Sequence, residues 1–228
     1  MQQLNSLTRA ILKVGGGRGF VAERRNHLGG IERIVITAAH CLPFFPPCHP
    51  FRYLHEQTYE RLLGPLGAEP SVWAMCLFAD PMADIAVLGQ PDNQALPEEA
   101  EGYDRLVEDM ATLTVADAPA QGFELLPGFR GGRKIKNPTP GDGPARVLSL
   151  DGHWLKGRVL RRTGWLEFQP HDFIKSGMSG SPIINAAGAA IGIVSVEICS
   201  LVLVDSLSTQ LVRAIDGAAP KQKLRRVR

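Results

Sequence analysis

The sequence has few cysteines and no long uninterrupted apolar run, and these absences exclude several protein classes. Four cysteines in 228 residues are too few for the disulfide framework of a small secreted domain. The amino terminus has neither the cationic start nor the apolar stretch of a secretory signal. In the most apolar region, residues 182–207, the pattern is interrupted by Asn185, Glu197 and Asp205, so this region is not a membrane span. The sequence therefore predicts a cytoplasmic protein without a membrane span.

The charge distribution argues against a nucleic-acid partner. The net charge is +2 at pH 7, but residues 221–228 contain five cations and no acid. Of the 25 lysines and arginines, the other 20 share the rest of the chain with all 23 acids. This slightly acidic body is not suited to coating a phosphate backbone. The basic tail is interpreted as a solvated end, with a linker, membrane-surface or acidic-partner role as the alternative.

One arrangement of thiols and imidazoles invites a metal interpretation. His40 and Cys41 precede Cys48 and His49, but the spacing matches neither a CxxC nor an HxxxH pattern. We interpret this segment as a proline-rich loop, and we expect no metal and no organic cofactor.

The apolar runs are short and bounded by turn residues, which indicates an all-β protein. Glycine and proline are frequent, at 24 and 17 residues, and the runs are rich in β-branched and aromatic side chains. Strands are predicted at residues 10–14, 19–22, 31–37, 72–78, 85–88, 112–115, 123–126, 145–150, 155–161, 164–169, 182–185, 190–197 and 201–204.

Other segments depart from the strand pattern. A short helix is predicted at residues 55–63, and a terminal helix at 208–215, where Ser208 is a suitable cap. The acidic stretch at 96–109 is interpreted as a seam between two halves of the chain. The Gly- and Pro-rich stretch at 127–144 is interpreted as an exposed loop.

Three short patterns carry the candidate chemistry. They are ITAAHC at 36–41, DIAVL at 84–88 and GMSGSP at 177–182. A serine hydroxyl is inert near pH 7 unless an imidazole accepts its proton, and a carboxylate must hold that imidazole in the right tautomer. Backbone N–H groups must then face the oxyanion. Together the patterns supply a nucleophile, a base and an orienting carboxylate for peptide hydrolysis.

In this order, TAAHC, DIAVL and GMSGSP resemble the motifs of the chymotrypsin/trypsin-like serine proteases, most closely their compact bacterial members. His40 and Asp84 are 44 positions apart, and Asp84 and Ser179 are 95 apart, which is similar to the family spacing. The resemblance covers about residues 12–215. It implies an all-β fold of two six-stranded antiparallel β-barrels with the active site in the cleft between them, and a short C-terminal helix.

The resemblance also implies a division of the chain. Residues 1–100 are expected to form an N-terminal barrel that carries the histidine and the aspartate. Residues 101–218 are expected to form a C-terminal barrel that carries the serine and ends in the helix, followed by a basic tail at 219–228.

Roles carry over to the matching positions. Ser179 is the expected nucleophile, His40 the base, and Asp84 the orienting carboxylate, with the N–H groups of Gly177 and Ser179 as the oxyanion hole. Asp80 is a competing carboxylate. Ser176 and Ser181 are competing serines, but only Ser179 has a glycine two positions before it and one after.

The resemblance names the substrate contacts as well. Ser195 is expected beside the triad carboxylate, and Val196 and Glu197 are expected to pair with an extended protein or peptide substrate. The pocket base falls near Phe173, which favours small or medium apolar side chains, whereas Glu197 at the rim favours a basic one. Both alternatives remain open.

Departures from the family pattern concern activation. Met178 stands where secreted relatives carry an aspartate that binds a newly cleaved N-terminus, and no matching terminus exists here. The cysteine partner of Cys41 in the secreted enzymes is expected near Arg25, where none is found. We therefore expect no zymogen activation of that kind, and a separate activating sensor protein is a hypothesis. The alternative function is a catalytically silent peptide-binding module on the same fold.

Overall fold

The computed structural model describes residues 2–25, 29–44, 57–81, 83–116, 143–162, 165–169, 174–195 and 201–202. Most of these residues lie in two antiparallel β-sheets, and the described helices are few. The coarse prediction of an all-β fold is therefore confirmed.

The first sheet has six strands in the order β1-β2-β3-β6-β5-β4. Their bounds are β1 Ile11–Val14, β2 Gly17–Arg25, β3 Ile31–Thr37, β4 Gln57–Gly64, β5 Val72–Asp80 and β6 Ile85–Gly89. Strand β1 pairs with β2 and also with β4, which closes the sheet into a barrel. Buried side chains such as Phe20, Ile36 and Leu88 form its core.

The second sheet packs on the barrel through one of its faces. Its strands are β7 Gly143–Leu148, β8 Trp154–Arg162, β9 Trp165–Gln169, β10 Pro182–Asn185, β11 Ala190–Ile193 and β12 Leu201–Val202, in the order β11-β10-β7-β8-β9-β12. Successive side chains of a strand point to opposite faces. Accordingly, Ile184 joins the core of the barrel, whereas Ile183 packs with Phe168 and Met178 in a smaller core. Closure of this sheet into a second barrel stays a prediction.

The acidic stretch interpreted as a seam forms a helix that packs on the first sheet. Helix α1 covers Gln2–Thr8, and helix α2 covers Pro97–Glu108. The apolar face of α2 consists of Ala100, Tyr103 and Val107, which are buried, and the Tyr103 hydroxyl donates to the carbonyl of Arg33 in β3 at 3.0 Å. The predicted domain boundary at residue 100 lies within this helix and stays a prediction.

The helix predicted at residues 55–63 is wrong over its described part, which belongs to β4. Tyr59, Leu62 and Leu63 are all buried, a spacing that resembles one face of a helix. In the structure a bulge interrupts the alternation of the strand, because the register shifts between Tyr59 and Leu63 and Arg61 has a φ of 47°. The bulge lets two consecutive leucines face the core.

The strand predicted at residues 112–115 is also wrong, because this segment crosses between the sheets and makes a single parallel bridge, Val115 to Ala190. The predicted strand at 123–126, most of the loop at 127–144, the helix at 208–215 and the tail at 219–228 lie outside the described residues.

Candidate active site

Strands β3 and β6 bring His40 and Asp84 together. The two strands are antiparallel neighbours with Thr37 opposite Ala86, so the end of β3 and the start of β6 lie at the same edge of the barrel. His40 lies in a short 3₁₀ helix, Ala39–Cys41, just after β3, and Asp84 directly precedes β6. Sheet register therefore places an imidazole beside a carboxylate from 44 positions away.

The carboxylate of Asp84 holds His40 through two hydrogen bonds. Its Oδ2 lies 2.7 Å from Nδ1 of His40, and its Oδ1 accepts the backbone N–H of His40 at 2.9 Å. The side chain of Asp84 is 16% exposed and that of His40 is 45% exposed. With Nδ1–H donated to the carboxylate, Nε2 of a neutral imidazole is the free acceptor. The exposed ring edge can therefore take a proton from outside.

The turn before β6 uses both of its acids, in different ways. Asp80 Oδ1 accepts the N–H of Ala83 at 3.0 Å, which organises the turn, while Asp84 faces His40. Asp84 has a φ of +52°, a left-handed conformation that aspartate tolerates better than most residues. Its carbonyl accepts the N–H of Ala39 at 3.1 Å, so the backbone also ties the turn to the histidine segment.

Ser195, just after β11, completes the surroundings of the carboxylate. Its hydroxyl donates to Asp84 Oδ2 at 2.6 Å, and the residue is buried. The Ser195 hydroxyl therefore lies beside the Asp84 carboxylate, and a role for Ser195 in substrate binding stays a prediction. The other expected substrate contacts, Phe173, Val196 and Glu197, lie outside the described residues.

Ser179 lies in the loop at residues 174–181, the serine loop, which precedes β10 and contacts the barrel. Its carbonyl accepts the N–H of Arg18 at 2.7 Å and lies 3.7 Å from Sγ of Cys41. Because Cys41 directly follows His40, the loop brings Ser179 to the histidine segment. Among the described interactions there is no hydrogen bond from the Ser179 hydroxyl to His40, so direct contact between them stays a prediction.

The buried side chain of Met178 anchors the serine loop to the second sheet. Met178 is fully buried in the core of the second sheet, and its sulfur accepts the N–H of Lys175 at 3.3 Å. Apolar burial therefore holds this loop against the second sheet.

Four N–H groups of the serine loop donate to no acceptor within the described residues, namely those of Ile174, Ser176, Gly177 and Ser179. Gly177 has a φ of +86°. The N–H groups of Met178, Gly180 and Ser181 donate to the carbonyls of Lys175, Val194 and Met178, respectively. Two of these four, Gly177 and Ser179, are the donors predicted to bind an oxyanion, a charge that N–H groups stabilise when they are held in advance.

The close approach of β2 to the serine loop requires glycine at position 17. A Cβ at this position would lie 2.5 Å from Cys41 Sγ and 2.6 Å from the Ser179 carbonyl oxygen, whereas a Cβ at Gly16 would meet nothing within 4 Å. This contact also places Gly17, rather than Arg25, opposite the Cys41 thiol.

We expect Gly17→Ala to lower the free energy of unfolding by about 2 kcal/mol through overpacking, and Gly16→Ala to change it by less than about 0.5 kcal/mol. Urea unfolding followed by circular dichroism measures both. Equal stability of the two variants would contradict the observed packing at Gly17.

Burial makes the Cys41 thiol unreactive. Desolvation raises the pKa of Cys41 from 9.0 to about 11, so roughly one thiol in a thousand is ionised at pH 8, against about one in ten at the ordinary value. The pKa of Cys76 is also raised by burial, to about 11.

We expect iodoacetamide to alkylate Cys41 and Cys76 at pH 8 at least about 100-fold more slowly in the folded protein than in urea. The rate should rise with pH until about pH 11, because only the thiolate reacts. Mass spectrometry of the proteolytic peptides measures each site. Rapid alkylation of folded Cys41 at pH 8 would contradict its burial.

Two residues beside the site were not found from the sequence. Arg18 is buried and donates to the carbonyls of Leu148 and Ser149. Leu150 is 46% exposed, and its side chain lies 3.6 Å from where a Cβ on Gly177 would be. The available signal was a lone cation within the glycine-rich run at 15–20, which leads into an apolar strand.

Features that would indicate another kind of functional site either lie away from the candidate active site or are not found among the described residues. A cavity of about 460 Å³ lies between α2 and the first sheet, and its lining includes Arg24, Tyr103 and Asp104 but none of the candidate site residues. Burial, and then the neighbouring Glu108, raise the pKa of Asp104.

The part of the chain that the structure describes contains no group of three or more potential metal ligands. None of its helices is long and apolar enough to cross a membrane.

Comparison with known proteins yields a likeness of structure only. No protein-family model and no curated protein matches the sequence. Among solved structures, the crystal structure of the serine endoprotease from Yersinia pestis is similar to this chain, with 12% sequence identity and a TM-score of 0.49. The alignment covers 94% of this chain, which spans 66% of the length of that one.

Proposed function

We propose that this chain is a trypsin-like serine endopeptidase of the compact bacterial type, which hydrolyses peptide bonds through His40, Asp84 and Ser179. The observation that carries the proposal is the hydrogen bonding of the Asp84 carboxylate to Nδ1 and the backbone N–H of His40 and to the hydroxyl of Ser195. Such a carboxylate fixes the imidazole tautomer and stabilises the ring once it is charged. A carboxylate that only capped the turn would not need the second and third partners.

The proposed reaction follows from these roles. Ser179 Oγ attacks the scissile carbonyl carbon while Nε2 of His40 accepts its proton. The oxyanion forms at the N–H groups of Gly177 and Ser179. The tetrahedral intermediate then collapses, the C–N bond breaks, and His40 returns the proton to the leaving amine. Water, deprotonated by His40, cleaves the resulting acyl ester and restores the serine.

The proposal includes the wider setting of the site. We infer two six-stranded barrels with the substrate in the cleft between them, an extended protein or peptide substrate, and a location in the cytoplasm. Support for that location comes from Cys41 and Cys76, which are free thiols, as expected in a reducing compartment.

A fluorophosphonate probe tests the activity, because it phosphonylates only an activated serine. We expect the folded wild-type chain to be labelled and Ser179→Ala to be unlabelled. Ser181→Ala is the matched control: its hydroxyl is buried with no hydrogen-bond partner among the described atoms, and labelling should persist. A folded wild type that binds peptides without being labelled would support the silent binding module instead.

Control by a sensor protein is a separate part of the proposal. We expect the purified chain alone to react with the fluorophosphonate probe but to cleave unstructured casein slowly, because the proposed partner would be needed to raise turnover. A peptide-library cleavage profile, with Ser179→Ala as the blank, would report the specificity. Cleavage of casein at ordinary turnover rates without any partner would remove the need for an activator.

A further inference from the structure

We propose that Arg18 is a positioning residue for the proposed protease. Its buried guanidinium holds the end of β7 in a clasp of hydrogen bonds and thereby keeps the serine loop, residues 174–181, in the geometry that binds the oxyanion. The inference rests on the proposed function, and it assigns a role to a residue outside the three catalytic motifs.

The guanidinium of Arg18 donates hydrogen bonds to three uncharged backbone carbonyls. One of its nitrogens (Nη1) donates to Leu148 O at 2.9 Å and Ser149 O at 3.0 Å, and the other (Nη2) donates to Leu150 O at 3.4 Å. Arg18 is 7% exposed, and no ion pair of the described residues involves it. The planar fork of arginine suits such a set of acceptors, whereas the single ammonium of lysine cannot span it.

Keeping a cation in this place is costly. Removing a charge from water without a counter-ion is unfavourable, and desolvation lowers the pKa of Arg18. An apolar side chain would pack at the sheet junction without this cost. A buried cation that bonds the backbone of the opposite sheet is therefore better explained by the position it enforces than by stability.

The backbone of Arg18 contacts both halves of the candidate site. Its N–H donates to the Ser179 carbonyl at 2.7 Å, and its carbonyl accepts the hydroxyl of Thr37 at 2.7 Å. Thr37 ends β3, three positions before His40. One residue thus joins the base segment, the nucleophile segment and the end of β7.

The clasp reaches the oxyanion donors through Leu150. The Leu150 carbonyl accepts a hydrogen bond from Arg18 at 3.4 Å, and Cδ2 of the Leu150 side chain lies 3.6 Å from the position that a Cβ on Gly177 would occupy. If residues 148–150 move, the Leu150 side chain moves away from Gly177, and the Gly177 N–H no longer points to the position of the oxyanion. Because such donors act mainly on developing charge, the loss should appear in kcat rather than in KM.

The test compares Arg18→Met with Arg24→Met in the full chain. Both arginines lie on β2, but Arg24 pairs with Glu32 at 2.7 Å and lies away from the serine loop. We expect Arg18→Met to lower kcat about 100-fold, the scale of an ångström-sized misplacement, with KM changed less than about 3-fold. Arg18→Lys should recover little of this loss, and Arg24→Met should keep the wild-type kcat.

A second variant covers the case in which Arg18→Met does not fold. Leu150→Ala removes an exposed side chain downstream in the same chain of contacts. We expect it to keep the wild-type melting temperature and to lower kcat about 10-fold with little change in KM, as for a group that acts only in the transition state. Wild-type kcat in a folded Arg18→Met or in Leu150→Ala would overturn the proposal, as would an equal loss in Arg24→Met.

Hydrogen exchange separates failure of this proposal from failure of the proposed function. In Arg18→Met, or in Arg18→Lys if the former does not fold, we expect the amides of 148–152 and 175–181 to exchange at least about 10-fold faster than in the wild type, with no such change in Arg24→Met. This readout needs no activity. A wild type unlabelled by fluorophosphonate refutes the protease, whereas unchanged exchange refutes the clasp.

Discussion

Asp84→Asn is expected to lower kcat about 10,000-fold, because an amide in this position favours the wrong tautomer of the catalytic histidine. The amide nitrogen of asparagine would donate to Nδ1 of His40, and the ring proton would then sit on Nε2, where the Ser179 proton must be accepted. The amide is also neutral and would not stabilise the imidazolium. Hydrolysis of a peptide substrate, with kcat and KM determined separately, measures the loss.

Ser195→Ala is the matched comparison for Asp84→Asn. It removes one hydrogen bond to Asp84 Oδ2 but leaves the carboxylate and both of its bonds to His40 in place. We expect a fall in kcat of about 10-fold, since one charge-assisted hydrogen bond contributes about 1.5–3 kcal/mol at most. If Asp84→Asn folded and kept more than a tenth of the wild-type kcat, the carboxylate would not have the proposed role.

Gly180→Ala is expected to have the largest effect on stability. A Cβ at this position would lie 1.9 Å from the Arg18 carbonyl oxygen, 2.5 Å from Thr37 Oγ1 and 3.0 Å from the Ala38 N. The backbone has a φ of +78°, which costs an L-residue roughly 1–2 kcal/mol by itself. The contacts with Arg18 and Ala38 are with backbone atoms of the barrel, so a rotamer change cannot relieve them.

We expect Gly180→Ala to lower the free energy of unfolding by about 4 kcal/mol or more, and the melting temperature by roughly 8–16 °C. Gly152→Ala is the matched control, because Gly152 has a φ of +80° with nothing within 4 Å of an added Cβ. It should lose only the backbone cost, about 1 kcal/mol. Calorimetry or circular dichroism measures both, and equal losses would mean that the serine loop can move away from the barrel.

The strands predicted from the sequence lie where local pattern and turn chemistry agree. The segments predicted at 31–37, 72–78 and 85–88 correspond to β3, β5 and β6, because their apolar runs are short, contain β-branched or aromatic side chains and are bounded by turn residues. Local pattern misled where tertiary packing rearranged the backbone. In β4 the bulge at Arg61 gives a strand the burial spacing of a helix. In α2 five acids obscured the three buried residues that dock the helix.

The residues of the candidate site likewise divide into those that the sequence predicted and those that it did not. The motifs named His40, Asp84 and Ser179, since each lies in a short pattern whose residue types carry a particular chemistry. Arg18 and Leu150 carry no such pattern. Their part depends on how β2 faces the end of β7, about 130 positions later in the chain.

The amino-acid order alone determined the β-rich class of the chain, most of its strands and the three residues proposed for catalysis, because alternation, turn residues and short motifs act within a few positions. Only the tertiary structure decided that Asp84 rather than Asp80 faces the imidazole, that Met178 anchors the serine loop in an apolar core, and that Arg18 joins the two sheets. These outcomes depend on strand register and on the contact between sheets, which arise from packing between residues far apart in the chain.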